Sequence, residues 1–192
     1  MKNTDDFLLT QTITVGQAKQ WITDKDDQAK EALTNFIYHR FYNRYIKHVK
    51  SMDSGFLKMA VCCLMIETIE SFKQGKKNTK PTGMGKKMFE DFFKSEKSNF
   101  PEFESIYKEF YYNIRCGILH QAETTNGWRI LRSGKILDKT NKTINSEMFV
   151  KALEKSLQDY KTVLDNSTFT EVIWQNAVKK IKYICENCKV SS

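Results

Sequence analysis

An arginine and a histidine stand five residues apart in Arg115-Cys116-Gly117-Ile118-Leu119-His120. The guanidinium is always cationic and grips oxyanions through a planar fork of donors, while the imidazole gives or takes a proton near neutral pH. Side by side, these groups suit acid–base chemistry on a phosphodiester. Asn113, Cys116 and Gln121 flank or separate them and are candidate supporting groups. On an ideal helix a five-residue offset leaves two side chains ~140° apart, so one straight helix does not bring the pair together. Gly117 is a point where the helix can loosen, since glycine costs about 1 kcal/mol relative to alanine there. A second copy of the chain is the other route. The structural alternative is that Arg115 pairs with Glu67 or Glu70 and His120 caps the helix end.

The elements that must position this stretch read as helices. Leu33, Phe36, Ile37, Phe41, Tyr45 and Val49 repeat at i, i+3/i+4 and predict a helix over about 26–50. Tyr38, Arg40, Tyr42, Arg44 and Lys47 fill much of its other surface, either as a packing face with a solvated rim or as an RNA-facing one. Ser54 caps a second helix, apolar on most sides, that runs to about Gln74 and ends at Gly75. Within it Glu67 either faces solvent or points inward and orients Arg115, because a buried carboxylate needs a partner. Met88, Phe89, Phe92 and Phe93 predict a short helix that Asn99-Phe100-Pro101 breaks. Phe103, Ile106, Tyr107, Phe110 and Ile114 then carry a helical period into the arginine–histidine stretch.

Beyond His120, segments 128–132 and 135–139 flank Ser133-Gly134 and predict a small β-hairpin, an insertion over 128–139. Asn145 or Ser146 caps a further helix bearing Phe149, Leu153, Leu157, Tyr160 and Leu164. Thr168-Phe169-Thr170-Glu171 reads as a capping box opening a C-terminal helix over 168–188, and residues 1–13 read as an irregular arm. The sum is a single all-α domain over residues 1–192, a helical bundle with one hairpin inserted between helices.

The basic segment 76–87 carries Lys76, Lys77, Lys80, Lys86 and Lys87 and no acid, which suits diffuse attraction for a polyanion such as RNA. Gly85-Lys86 is not a phosphate-binding P-loop: the required glycine and Ser/Thr positions hold Lys80 and Lys87. No cofactor or metal is called for. Cys185-x-x-Cys188 lacks the second pair that a zinc site needs, and Cys62 and Cys63 lie in an apolar run as small hydrophobes. That run is too short to span a membrane, and the opening residues do not read as a secretory leader. With 192 residues, 40% hydrophobic, two prolines and a net charge of +8, the chain suits a helical, polyanion-binding globular protein, expected in the cytoplasm.

Arg-x4-His at a helix end in a small all-α bundle resembles the HEPN superfamily, over about residues 26–165. The resemblance implies a metal-independent endoribonuclease with Arg115 and His120 catalytic. It also implies a homodimer whose two motifs face each other across one composite site. The implied settings are toxin–antitoxin pairs and phage defence, with an antitoxin or defence-operon protein as partner. Two alternatives stand beside it: a non-catalytic module that binds RNA or a nucleotide, and a regulatory protein-interaction subunit. Two positions depart from the pattern. Cys116 stands where ribonuclease members commonly carry Asn, Asp or His. Ala122 stands where toxins silenced by nucleotidylation carry Tyr, so that partnership is not implied. Arg44 and His48 are one residue too close to match the motif and take no catalytic role.

Overall fold

The first α-helix begins where two side chains can close a reciprocal cap. In a computed structural model describing residues 3–188, the Thr14 hydroxyl accepts from the Gln17 amide at 3.2 Å and the Gln17 side chain accepts from the Thr14 amide at 2.9 Å. This box opens α1 (Val15–Asp24), followed by α2 (Asp27–Phe41), α3 (Lys47–Ser51), α4 (Gly55–Lys73) and α5 (Met84–Ser95). Short helices α6 (Tyr107–Glu109) and α7 (Gly117–Gln121) precede strands β1 (Arg129–Leu131), β2 (Leu137–Asp138) and β3 (Thr143–Asn145). The long helices α8 (Ser146–Asn166) and α9 (Val172–Glu186) follow. Two π-helical turns, Tyr42–Ile46 and Phe110–Cys116, interrupt the α pattern. The chain is thus mostly helical with one small sheet, and among the described residues no helix is long and apolar enough to cross a membrane.

Contacts divide the chain into two compact units. The first comprises Met1–Arg40, Ser71–Asn78 and Asp159–Ser192. In it α1 buries Val15, Ala18 and Ile22 and packs on α9, which buries Trp174, Ala177, Ile181 and Cys185. The arm before α1 is not wholly irregular: Leu8 pairs with Thr14 in an isolated bridge and Leu9 is buried. The C-terminal helix starts at Val172 rather than Thr168. Glu171 does reach back to the Thr168 amide at 2.7 Å, but the Thr168 hydroxyl bonds the Thr170 and Glu171 side chains instead of a helical amide. Only half of the expected box forms, and the helix begins after it.

The second unit comprises Phe41–Glu70 and Thr79–Gln158. The helix predicted to run to residue 50 reaches Ser51, but through the π turn at Tyr42–Ile46. A π turn inserts an extra residue, so Ile46 is buried where even spacing predicts Tyr45. Ser54 caps α4 as expected, accepting from the Leu57 amide at 3.2 Å. Met59, Cys62, Cys63, Met65, Ile66 and Ile69 are buried, whereas Leu57 and Leu64 remain exposed, so α4 is not apolar-packed all round.

The core of this unit is a phenylalanine cluster. Phe89, Phe92 and Phe93 of α5 meet Phe100, Phe103, Phe110 and Phe149, all fully buried. The Phe93–Phe110 centroids are 5.1 Å apart, Phe100–Phe149 4.8 Å, and Phe110 stacks on Phe149 at 5.4 Å. Such offset and edge contacts add about 0.5–1.5 kcal/mol per pair beyond burial. Phe110 opens the π turn that carries Arg115, so this cluster anchors the segment bearing the candidate site.

The expected hairpin does not form. Residues 129–131 and 137–138 never pair with each other; both pair with β3, in the order β1-β3-β2. β1 lies parallel to β3, with Ile130 opposite Ile144, and β2 antiparallel, with Leu137 opposite Ile144. The central strand is three residues long, too short to show alternation, and its last residue also caps α8: Asn145 Oδ1 accepts from the Glu147 and Met148 amides at 3.0 and 3.2 Å.

Lys58 is only 2% exposed, and its ammonium meets Glu147 at 2.5 Å. Arg132 also binds Glu147, at 3.2 Å, and pairs with Asp53. The Lys58 hydrogen bond holds the Glu147 carboxyl below its usual range. A depressed folded-state value stabilises above the ordinary glutamate pKa of about 4.3 and is lost as pH falls through the folded value. Glu147→Gln should cost about 2–3 kcal/mol at neutral pH by leaving Lys58 buried and unpaired, while Lys58→Met should be near neutral. Urea denaturation checks both, and the deficit of Glu147→Gln should shrink below about pH 4.

Candidate functional site

Arg115 and His120 meet within one chain, contrary to the straight-helix expectation: Arg115 Nη1 lies 3.4 Å from His120 Nε2. A π turn closes hydrogen bonds from i to i+5 and underwinds the helix. Phe110–Cys116 is such a turn, running directly into α7. Residues five apart therefore lie nearer one face than on an α-helix, and the long arginine side chain spans the remainder. An arginine nitrogen only donates, so a hydrogen bond here requires a lone pair on Nε2, that is, a neutral ring protonated at Nδ1.

Gly117 does not act by loosening the helix. A Cβ at this position would stand 2.4 Å from the Glu123 carbonyl oxygen. The glycine makes room for the chain as it folds back after His120. Ala122 takes a left-handed conformation (φ 57°), its amide bonding the Ile118 carbonyl at 3.2 Å, and the Glu123 amide reaches the Gly117 carbonyl at 3.4 Å. Asn113, one turn earlier and 8% exposed, secures the same return: its carbonyl accepts from the Thr125 amide at 3.0 Å. Its side-chain oxygen accepts from Thr125 Oγ1 at 2.9 Å and Asn126 Nδ2 at 2.7 Å. Asn113 thus supports the loop rather than the reacting groups. Backbone amides meet the Gly117 and Ile118 carbonyls at the turn that ends α7, and the exposed His120 ring lies against Arg115, so the histidine is not a helix cap.

Glu67 is the carboxylate partner of Arg115. Nε and Nη2 both reach Glu67 Oε1 at 2.8 Å, with side-chain exposures of 19% and 12%. Glu67 Oε2 accepts from Thr79 Oγ1 at 3.1 Å, so the carboxylate is itself held. Burial opposes the charge on Arg115, but the Glu67 charge and hydrogen bond outweigh it and hold the guanidinium above its ordinary value. The carboxylate fixes one edge of the fork and leaves Nη1 beside the histidine. Below the guanidinium lies the Tyr111 ring, 5.4 Å from Cζ to centroid, and burial raises that phenol above its usual range. Cys116 Sγ is 4.0 Å from Nη1, and Gln121 is exposed.

The basic residues are not one group. Lys76 and Lys77 belong to the first unit, where their carbonyls accept from Lys180 Nζ at 2.8 and 3.0 Å and Lys77 Nζ lies 5.4 Å from the Tyr183 centroid. Lys80, Lys86 and Lys87 belong to the second unit, with Arg115. Lys87 is engaged by Asp91 at 2.8 Å and Glu90 at 3.3 Å, whereas Lys86 Nζ lies 5.8 Å from the Tyr112 centroid. Sequence spacing gives no role to Thr79, Tyr111 or Tyr112, whose places beside Glu67 and Arg115 come from contacts in the fold. Among the described residues no group of three or more His, Cys, Asp or Glu side chains is placed to hold a metal ion. No family model matches this chain, and no curated protein or solved structure matches it.

Proposed function

We propose that this protein is an endoribonuclease of HEPN type. The observation that carries the reading is the Arg115–His120 contact: a fixed cation and an exposed proton-transfer group 3.4 Å apart. In the proposed reaction the RNA 2′-hydroxyl attacks the adjacent phosphorus and the bond to the 5′-oxygen breaks. The attacking hydroxyl loses its proton, the leaving oxygen gains one, and the products carry a 2′,3′-cyclic phosphate and a 5′-hydroxyl. His120 serves as base or acid in one of these transfers, and Arg115 Nη1 stabilises charge on the phosphorane oxygens. The expected setting is a toxin or phage-defence component in the cytoplasm.

We further propose a homodimer with the two motifs adjacent, so that one histidine takes the proton and the other gives one. The dimer is not needed to bring arginine to histidine, since one chain does that; its support is the single motif copy per chain. Light scattering at micromolar concentration should give twice the chain mass, and a monomer contradicts it. A second reading, RNA or nucleotide binding without turnover, has its own support. Two Arg115 donors are committed to Glu67, which narrows the fork open to phosphate. Salt-sensitive binding by folded wild-type protein that never cleaves RNA favours that reading.

A further inference from the structure

Neighbouring residues on a helix point in different directions, so of two adjacent tyrosines one can turn inward while the other stays out. Tyr111 is the inner ring. It meets Phe89 edge-on at 5.6 Å and lies beneath Arg115, and a Cβ added at Gly85 would stand 3.0 Å from its hydroxyl. Tyr112 is the outer ring, 55% exposed, and Tyr111 braces it in a T-shaped contact at 5.3 Å and 81°. Lys86 stands over Tyr112 at 5.8 Å, and among the described residues no carboxylate pairs with it, unlike its neighbour Lys87. Lys86, Tyr112, Tyr111, Arg115 and His120 therefore form one contiguous series of cation and ring contacts.

A lone exposed tyrosine is ordinary surface. This one is braced by a half-buried ring, borders a cation that no carboxylate engages among the described residues, and is two contacts from a fixed arginine. A flat ring beside a cation accepts a nucleobase face and the phosphate attached to it. We propose that Tyr112 and Lys86 form a nucleotide subsite adjoining Arg115 and His120. There a base leaves the strand to stack on Tyr112, and Lys86 holds its phosphate. Bases in a duplex have their faces covered, so the subsite selects single-stranded RNA. This rests on the ribonuclease reading for the identity of the strand, but its test does not require turnover.

The test is fluorescence anisotropy with a 5′-labelled single-stranded oligoribonucleotide, using full-length protein in the His120→Ala background so that the RNA stays intact. Tyr112→Ala should weaken binding by about tenfold or more, and Tyr112→Phe should bind like the parent. Lys86→Ala should weaken binding and lower the slope of log affinity against log salt by ~0.7. Duplex RNA of the same sequence should be indifferent to Tyr112→Ala. Parent-like binding of single strands by Tyr112→Ala, an equal loss for duplex and single strand, or no binding by the parent each overturns the subsite. Tyr112-dependent binding with no cleavage by wild type leaves the subsite standing and removes the ribonuclease. Cleavage by wild type with Tyr112-independent affinity does the reverse.

Discussion

His120→Ala should lower cleavage of single-stranded RNA by about 10²–10⁴-fold, the usual worth of a positioned acid–base group. The ring is exposed and its hydrogen-bonding contact is to Arg115, so the variant should keep the wild-type circular dichroism spectrum and melting temperature. Arg115→Lys should also be damaging. A lysine places one point charge where the guanidinium divides its donors, with Nε and Nη2 on Glu67 and Nη1 toward His120. Cys116→Asn should leave activity equal or higher, since it restores the residue commoner in the family the motif resembles. Full activity in folded His120→Ala protein contradicts the catalytic role.

Gly117→Ala is the second large effect, and its sign is informative. Helix propensity alone predicts that alanine gains about 1 kcal/mol here. The returning chain predicts the opposite, because the new methyl would meet a backbone oxygen at 2.4 Å, and that oxygen belongs to a loop bonded to Gly117 and Asn113. Relieving the clash should cost about 1–3 kcal/mol, as overpacking does. It must also move the segment just after His120, and a displacement near 1 Å in a catalytic group can cost about 10²-fold in rate. Thermal denaturation with a cleavage assay on the same sample separates the two losses. A Gly117→Ala protein as stable and active as wild type would show that the loop does not hold the site.

The helices were legible wherever burial repeats in sequence: Ser54 and Asn145 mark true caps, and the phenylalanines at 89, 92, 93, 103 and 110 are buried as their spacing predicts. The π turns were not, because an inserted residue changes no residue type and leaves only a slip in spacing, as where Ile46 replaces Tyr45. The arginine–histidine pair is ~140° apart on an ideal helix; the underwound turn Phe110–Cys116 narrows that angle and the long arginine side chain spans the rest. The sheet failed for a different reason. Its central strand, Thr143–Asn145, is three residues whose last also reads as a helix cap, and it takes a strand's role only by pairing with Leu137–Asp138 on one side and Arg129–Leu131 on the other. In the sequence Glu67 is one of two candidate partners for Arg115, with Glu70, and solvent exposure is its alternative; the contact at 2.8 Å selects it. Thr79 and the Tyr111–Tyr112 arrangement depend on contacts that no local pattern encodes.

The most direct test of the central claim is the chemistry of the ends. Wild-type protein incubated with single-stranded RNA in EDTA, with products resolved by mass spectrometry, should yield fragments ending in 2′,3′-cyclic phosphate paired with 5′-hydroxyl fragments. Intact RNA, or fragments with 3′-hydroxyl and 5′-phosphate ends, would contradict attack by the 2′-hydroxyl at Arg115 and His120.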